Sequence, residues 1–369
     1  MSVGTTTLAE TRAGYPHEAG ARDAVVAGIR AARRSTMRRD VVVVVALSVA
    51  ALALVVLTLC IGATVTPIGD VLRVLFGQSV PGAGFTVAEL RLPRALGGLL
   101  VGLAFGAAGC LFQSVLRNTL ASPDVIGISS GAGLAAVVAI AVLGTSGLIV
   151  SAAALAGALL TAGAIFLLAA GRSTTGYRFV LIGIAVGTAA QAVIGYVISR
   201  AGIADAQQAM VWLTGSLSRS LWDQLPPVAI AIVVLLPFAL LTGRALDVLR
   251  LGDDTATALG ARAGRDRVLL ILLAVALVAV GTSLTGPVAF VAFLAAPITS
   301  RMLRSSRLLL PASALMGAVI MLGGDFVGQH LIPGVALPVG VVTGAIGAPY
   351  LLWLLARGGR RNASTGGVS

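Results

Sequence analysis

The chain has 369 residues, of which 57% are hydrophobic and 11% are charged, and its mean hydropathy is +1.00. A soluble domain must cover its surface with polar side chains, so this composition excludes an ordinary soluble protein and indicates several membrane crossings. The formal net charge is +12, but the arginines lie in short segments between apolar runs, which favours the positive-inside rule over nucleic-acid binding.

The N-terminal segment, residues 1–39, is polar and ends in a cluster of arginines. We predict that it is a disordered cytoplasmic tail. The apolar run that follows, residues 41–63, is longer than the ~7–15 residues of a signal-peptide core. Since a membrane-spanning helix needs about 20 residues, this run is predicted to be the first transmembrane helix.

Ten apolar runs of spanning or near-spanning length follow one another along the chain. They lie at residues 41–62, 95–113, 125–144, 147–170, 179–199, 226–243, 267–285, 287–303, 308–325 and 338–356. The predicted fold class is therefore an all-α polytopic bundle of about ten transmembrane helices. The transmembrane bundle is predicted to span residues 40–357, and residues 358–369 to form a cytoplasmic C-terminal tail.

An even number of spans places both termini on one side, and arginine-rich tails favour the cytoplasm. Outside the N-terminal tail, fourteen arginines then fall in predicted cytoplasmic segments and five on the outside. The five outer residues are Arg73, Arg91, Arg94, Arg200 and Arg219. The excess supports the assignment.

Small residues recur at helical spacing within several spans. Gly98, Gly102 and Gly106 are the clearest row, and similar glycines occur in the fifth and tenth spans. Glycines four residues apart let two membrane helices approach closely. The pattern predicts tight helix packing and specifies no activity.

Ionisable groups are rare within the predicted spans. Asp325, near the outer end of the ninth span, is expected to cap or bond locally rather than carry protons, and His330 follows in an outer loop. Cys60 and Cys110 are interpreted as small buried hydrophobes. We find no spacing typical of a metal site or a catalytic group, so we expect neither enzymatic activity nor a bound cofactor.

The longest internal cytoplasmic loop, residues 244–266, contains LGDDTATALGARAG. Asp253 and Asp254 suit a helix N-terminus, where a carboxylate caps free N–H groups and meets the helix dipole. Thr255 to Leu259 can form about a turn and a half, and Gly260 is a natural stop. This predicts a short rigid helix outside the membrane, with a structured connector between two spans as the alternative.

A second informative segment is QSVLRNTLASPDVIGISSGAG, residues 113–133. Arg117, Asn118, Ser122, Pro123 and Asp124 interrupt what would otherwise continue as helix. Non-helical backbone near membrane depth persists only where protein or a watery cavity satisfies it. The segment is predicted to form a gate or pathway lining, or else a plain turn between helices.

Four ordered blocks of sequence carry a resemblance to a known family. They are RLPRALGGLLVGLAFGAAGCLFQSVLRNTLASPDVIG, VWLTGSLSRSLW, LGDDTATALGARAGRDRVLL, and the run from GPVAFVAFLAAPITSRML to LPVGVVTGAIGAPYLLWLL. Over these blocks the chain resembles the FecCD-type permeases, the membrane subunits of bacterial ABC importers for ferric siderophores, haem and cobalamin. GDDTATALG and RNTLASPDVIG are most similar to ferric-enterobactin-type subunits.

The resemblance implies a type II ABC importer permease in the cell (inner) membrane, surrounded by lipid. It implies a dimer with a second permease, identical or not, two ATPase subunits that use ATP and Mg, and an outer siderophore-binding protein. This chain would itself bind no cofactor, metal or nucleic acid.

The resemblance also implies roles for individual residues. Those of the helix that couples to the ATPase are Asp253, Asp254, Thr255, Ala256, Leu259 and Gly260. Those near the cytoplasmic gate are Asn118, Leu120, Thr175 and Gly176. Arg91 and Arg94 would dock the binding protein through its acidic residues, with contact to lipid headgroups as the alternative.

The chain also departs from the family pattern. Thr119 replaces a usual proline, and Pro297 with Ile298 replaces a Pro-His pair. Gln329 stands where a third docking arginine is common, and Ala336 where a glutamate often occurs. Because neutral residues at the last two positions occur in one partner of heterodimeric permeases, a non-identical second subunit is plausible.

The expected function is import of a ferric siderophore by an ATP-driven ABC transporter. Haem or cobalamin import by the same family is the alternative within the class. An ion-coupled secondary transporter and a passive channel or scaffold subunit are alternatives from other classes. The scarcity of intramembrane acids and the helix predicted at residues 253–260 argue against the secondary transporter.

Overall fold

The computed structural model describes residues 16–124, 126–169 and 176–363 of the chain. These residues form fourteen α-helices, and no strand occurs among them. The helices are α1 Pro16–Cys60, α2 Ile68–Leu75, α3 Leu92–Val115, α4 Ile128–Ala141, α5 Leu148–Ala169, α6 Gly176–Arg200, α7 Ile203–Leu213, α8 Leu225–Leu241, α9 Gly243–Arg250, α10 Asp253–Ala258, α11 Ala263–Thr285, α12 Val291–Met302, α13 Leu309–His330 and α14 Val339–Ala363. A π-helical turn, Thr86–Arg91, leads into α3, and a 3-10 turn, Leu217–Arg219, precedes α8.

Each of the ten predicted spans corresponds to a helix. Among the described residues, six helices are long and apolar enough to cross a membrane, and the pair α8 and α9, bent by 46°, forms a seventh. The apolar segments in α4, α12 and α14 are shorter. The all-α multi-span fold is therefore confirmed, with α4 and α12 shorter than the apolar runs in which they lie.

The N-terminal prediction needs correction. Residues 16–39, expected to be disordered, are helical and continuous with the first span. The segment is rich in alanine and arginine, both strong helix formers, and the span behind it supplies a helix that it can extend. Residues 1–15 lie outside the described part of the chain, as do residues 364–369 of the predicted C-terminal tail.

Helix α3 is the centre of the bundle and packs against α11, α12 and α13. Of its most apolar stretch, 78% is buried, compared with 17% for α1 and 22% for α6. Helices α1 and α6 therefore leave wide apolar surfaces for lipid or for another subunit. In lipid such surfaces need no polar cover.

The glycine row of α3 makes the central contact possible. A Cβ on Gly102 would lie 2.5 Å from the Cα of Ala318, and one on Gly106 would lie 2.1 Å from the carbonyl oxygen of Ser313. Gly317 of α13 faces the same row. The predicted close packing is thus present, because only the missing side chains let the two backbones meet.

The ends of the helices form two groups. At the end where α3 terminates, Arg117 contacts Asp253, and the carboxylate of Asp40 accepts a hydrogen bond from the N–H of Arg304 at 2.8 Å. We call this the Arg117 end, and the opposite end, where α3 begins, the Arg94 end. The segments that contain these residues, which were predicted to be cytoplasmic, therefore contact one another at the Arg117 end.

Candidate functional site

The short helix α10 lies exposed at the Arg117 end. Only Ala256 is buried, whereas Leu259 and the other side chains of the helix face outward. Gly260 adopts φ +83°, and the N–H of Ala261 donates to the carbonyl of Ala256 at 2.9 Å, which closes the helix. The predicted glycine stop is present, since this left-handed conformation favours glycine.

Asp253 and Asp254 lie in the first turn of α10 as predicted, but the expected capping by their side chains is wrong. No side chain caps α10, and Gly252 stands at the N-cap position. The carboxylate of Asp253 instead accepts from Arg117 Nη2 at 2.7 Å and from Arg267 Nη2 at 2.8 and 2.9 Å. Two nearby guanidinium groups compete with the helix N–H groups for the same oxygens, and charge-assisted bonds are the stronger ones.

The same contacts set the charge of Asp253. Desolvation by burial would raise its pKa, but the hydrogen bond and charge of Arg267, together with the charge of Arg117, outweigh it and lower the pKa below the ordinary aspartate value. The carboxylate therefore stays ionised at neutral pH. Asp254, beside it, is exposed, and within the described residues its carboxylate forms no hydrogen bond or ion pair with another side chain.

Arg117 connects α10 to the end of α3. Its backbone has φ +48°, and its Nη2 also donates to the carbonyl of Leu249, the penultimate residue of α9, at 2.8 Å. Arg250, the last residue of α9, donates to the hydroxyl of Ser114 in α3. Two arginines thus hold the α9–α10 segment to α3: Arg117 follows α3 in the chain, and Arg250 belongs to α9.

The predicted helix break follows directly after Arg117. The described residues between α3 and α4, 116–124 and 126–127, contain no regular helix, and the N–H of Leu120 donates to Asn118 Oδ1 at 2.9 Å. A cavity of about 240 Å³ opens here, lined by Asn118 and Thr119 on one side and Pro297 and Ser300 on the other. The departure at Thr119 therefore lies at this cavity, as does Pro297, the residue before the departure at Ile298.

The remaining gate residues add little to this picture. Gly176 is the first residue of α6, and Thr175 lies outside the described residues. Leu120 is partly buried beside the break. A gate at Asn118 and Leu120 stays a prediction. The two residues lie directly after Arg117, which binds Asp253 of α10.

At the Arg94 end, the two predicted docking arginines, Arg91 and Arg94, form their hydrogen bonds with groups of this same chain. Arg91 is buried, and its guanidinium donates to the carbonyls of Leu59 at 2.9 Å and Thr64 at 2.6 Å and to the hydroxyl of Thr66 at 3.3 Å. These acceptors belong to the end of α1 and the loop after it. The expectation that Arg91 is presented to a partner is therefore corrected: it fastens this loop to the start of α3.

Arg94 forms a bidentate ion pair with Asp325. Its Nε and Nη2 donate to the two carboxylate oxygens at 2.9 and 2.8 Å, and the Asp325 side chain is almost fully buried. Gln329 Nε2 donates to the same carboxylate at 2.7 Å. Arg94 and Gln329, expected at a docking rim, both bind Asp325. Asp325 was predicted to bond locally, but it pairs with Arg94 on another helix.

The contacts between distant loops were missed at the sequence level. Arg267 and Arg250 carried no predicted role, and Arg117 was noted only as a helix interruption. The signal available was charge: Asp253 and these arginines lie in segments predicted to share one face of the membrane. In the part of the chain that the structure describes, no group of His, Cys, Asp or Glu residues could hold a metal ion.

The bundle, the exposed α10 and the break beside it define a polytopic membrane permease subunit of the type found in transporters. The FecCD transport family matches residues 50–357, and the chain belongs to this family. It is 37% identical over 300 residues to the ferric enterobactin transport system permease protein FepG of Escherichia coli strain K12, covering 81% of this chain and 91% of that protein.

Two further similarities agree with the family. The Fe(3+)-citrate import system permease protein YfmE of Bacillus subtilis strain 168 is 36% identical over 320 residues, covering 86% of this chain and 96% of that protein. A metal-chelate type ABC transporter solved in an inward-facing conformation matches with a TM-score of 0.76 and 26% identity, over 85% of this chain and 98% of that one. The chain is thus a multi-span permease subunit of the iron-siderophore and cobalamin class of ABC transporters, a class that implies a partner permease and an ATPase.

Proposed function

We propose that this chain is the translocation subunit of an ATP-driven importer that receives a ferric siderophore from a binding protein and passes it across the cell membrane. The single observation that supports the mechanism is the position of α10. This helix is exposed on the surface, and its Asp253 binds Arg117 at the end of α3. The names of FepG and YfmE, which refer to ferric enterobactin and Fe(3+)-citrate, support the substrate class.

In this proposal the termini and α10 are cytoplasmic, because the arginine distribution favours that side. Two ATPase subunits, which bind ATP and Mg, seat the exposed residues of α10, including Asp254 and Leu259. A second permease covers an apolar face of the bundle, for which α6 offers exposed Leu181, Ile184 and Tyr196. The chain itself supplies no catalytic group.

The mechanical step follows from the ionic contacts. When the ATPases close, they displace α10, and the rigid connection through Asp253 and Arg117 transmits the displacement to the end of α3. The helix break, described for residues 116–124 and 126–127, begins there and borders the cavity near Asn118. Motion of α10 is therefore coupled to the segment proposed to form the gate.

The test is uptake of a ferric siderophore labelled with radioactive iron in cells that contain or lack this gene. A third strain carries the gene together with an ATPase partner that binds but does not hydrolyse ATP. We expect uptake only with the gene and an active ATPase. Uptake that is unaffected by the inactive ATPase contradicts the proposal and favours an ion-coupled transporter or a channel.

A further inference from the structure

A second cavity, at the Arg94 end, is not part of the machinery described above. Its volume is about 230 Å³, and its polar lining comprises Ser151, Gln208, Ser218, Arg219 and Gln224. It lies at the same end as Arg94 because Leu284 in its wall lies beside Gly97 of α3. The cavity is bounded by the starts of α5 and α8 and by α7.

Arg219 is the only positive charge in this lining. It is partly buried, yet in the described residues its guanidinium has neither an ion pair nor a hydrogen bond. Burial lowers the pKa of Arg219, and no acidic group acts against this. Arg91 and Arg94, at the same end, are by contrast fully engaged within the chain.

An unpaired guanidinium that is half removed from water is unfavourable unless something binds it. An arginine remains charged at neutral pH even when burial disfavours its charged form, so the site keeps its positive charge. The planar group offers a pair of parallel donors that match a carboxylate or phosphate. The charge therefore indicates an anionic oxygen ligand.

A second donor points to the same chemistry. Gln224 is only 9% exposed, and its carboxamide oxygen accepts a long hydrogen bond of 3.5 Å from the Ser151 hydroxyl. Its Nε2 has no acceptor in the described part of the chain, and Gly147, which also lines the cavity, lies next to it. Because Gln224 lines the cavity, this amide is free to donate to an oxygen of a ligand there.

The size of the cavity limits what it can hold. Pockets for complete small molecules are typically about 300–1,000 Å³, so this cavity is smaller than the usual minimum. Trp212, which is buried, supplies an apolar wall. The space suits one compact anionic group with the rest of its molecule outside.

We propose that this cavity is an anion site that binds an oxyanion group, a carboxylate or phosphate, through Arg219 and Gln224. On the basis of the function proposed above, the group is the anionic arm of an incoming metal chelate. An anionic lipid headgroup has the same chemistry and is the other possible source.

The test is a calorimetric titration of metal-free citrate into the assembled transporter in phosphatidylcholine nanodiscs, without nucleotide. We expect saturable binding to the wild type and affinity weakened by about tenfold or more in Arg219→Gln, the loss typical of one charged hydrogen bond. Arg219→Lys should retain intermediate affinity, because it keeps the charge but loses the paired donors.

The matched control is Arg200→Gln, which removes one exposed arginine from the helix end next to α7 without touching the cavity. It should bind citrate as the wild type does. Equal binding by the wild type and Arg219→Gln, or no binding by the wild type, overturns the proposal. Because the titration needs no ATP, its result is independent of whether transport is ATP-driven.

A further arm distinguishes the two sources of the oxyanion. The titration is repeated in nanodiscs that contain phosphatidylglycerol. Weaker citrate binding there, which Arg219→Gln no longer shows, identifies the lipid headgroup as the occupant of the site. Unchanged binding identifies a soluble anion, as expected for the arm of a chelate.

Discussion

The Nη2 atom of Arg117 lies 2.7 Å from Oδ1 of Asp253, although the two residues are 136 positions apart in the chain. This contact joins the exposed helix α10 to the end of α3, the helix at the centre of the bundle. A partner that moves α10 therefore acts on the whole bundle through one ionic contact and its neighbours.

The exposed face of α10 should be required for coupling but not for folding. We predict that Asp254→Arg abolishes siderophore uptake, because it reverses the charge presented to the ATPase, while the permease still inserts and assembles at wild-type levels. Uptake assays with immunoblots of membranes check both parts. Wild-type uptake in this variant contradicts the assigned role of α10.

The ion pair at the other end should be essential for stability. Replacing Arg94 with Gln leaves the buried Asp325 carboxylate without its cation, which typically costs about 3–5 kcal/mol. We expect a clear drop in the thermal unfolding temperature of the purified complex, and partial recovery in Arg94→Gln combined with Asp325→Asn. A single variant as stable as the wild type contradicts this role.

Close packing of α3 on α13 predicts a position-specific effect of a single methyl group. Gly106→Ala would place Cβ 2.1 Å from the Ser313 carbonyl oxygen, so we expect destabilisation by at least about 1–3 kcal/mol. The matched control is Gly195→Ala, where no atom lies within 4 Å of the added carbon. The two variants are compared by thermal unfolding in detergent, and equal melting temperatures contradict the packing described.

Because Arg91 is buried, its replacement should affect the stability of the permease and not its affinity for the binding protein. We predict that Arg91→Gln lowers the stability of the permease, since its guanidinium holds the loop after α1, while the affinity for the binding protein in the remaining folded fraction is unchanged. Arg73→Gln, at an exposed arginine of the same end, is the control. Salt-dependent loss of binding-protein affinity without loss of stability would restore the docking role.

The helices themselves were largely predictable from the sequence. Apolar runs and their punctuating polar residues identified all ten spans, and Gly260 marked the end of α10 correctly. Such features depend on local composition and on the few residue types that tolerate a left-handed backbone. The helical extension at residues 16–39 was missed, because its polar character indicated disorder and its helix propensity was given less weight.

The partners of charged side chains were not predictable in the same way. Arg94 and Asp325 are 231 positions apart, and although both were predicted on the outer side, helix order alone does not decide that α3 and α13 are neighbours. Arg91 and Arg94 have the same sequence character but different acceptors. The sequence placed Arg219 only on the outer side, and its lack of an ion pair depends on packing, because α7 beside the cavity does carry an acid, Asp205.

The most direct measurement is the number of chelates taken up per ATP hydrolysed by the transporter reconstituted in proteoliposomes. It is made for Arg117→Gln, Asp253→Asn, the double variant, and Arg262→Gln as an exposed control in the same loop. We predict that each single variant lowers the ratio by about tenfold while hydrolysis continues, and that the double variant is no worse, because interacting residues are not additive. Wild-type ratios in the single variants, or strictly additive losses, would contradict coupling through this contact.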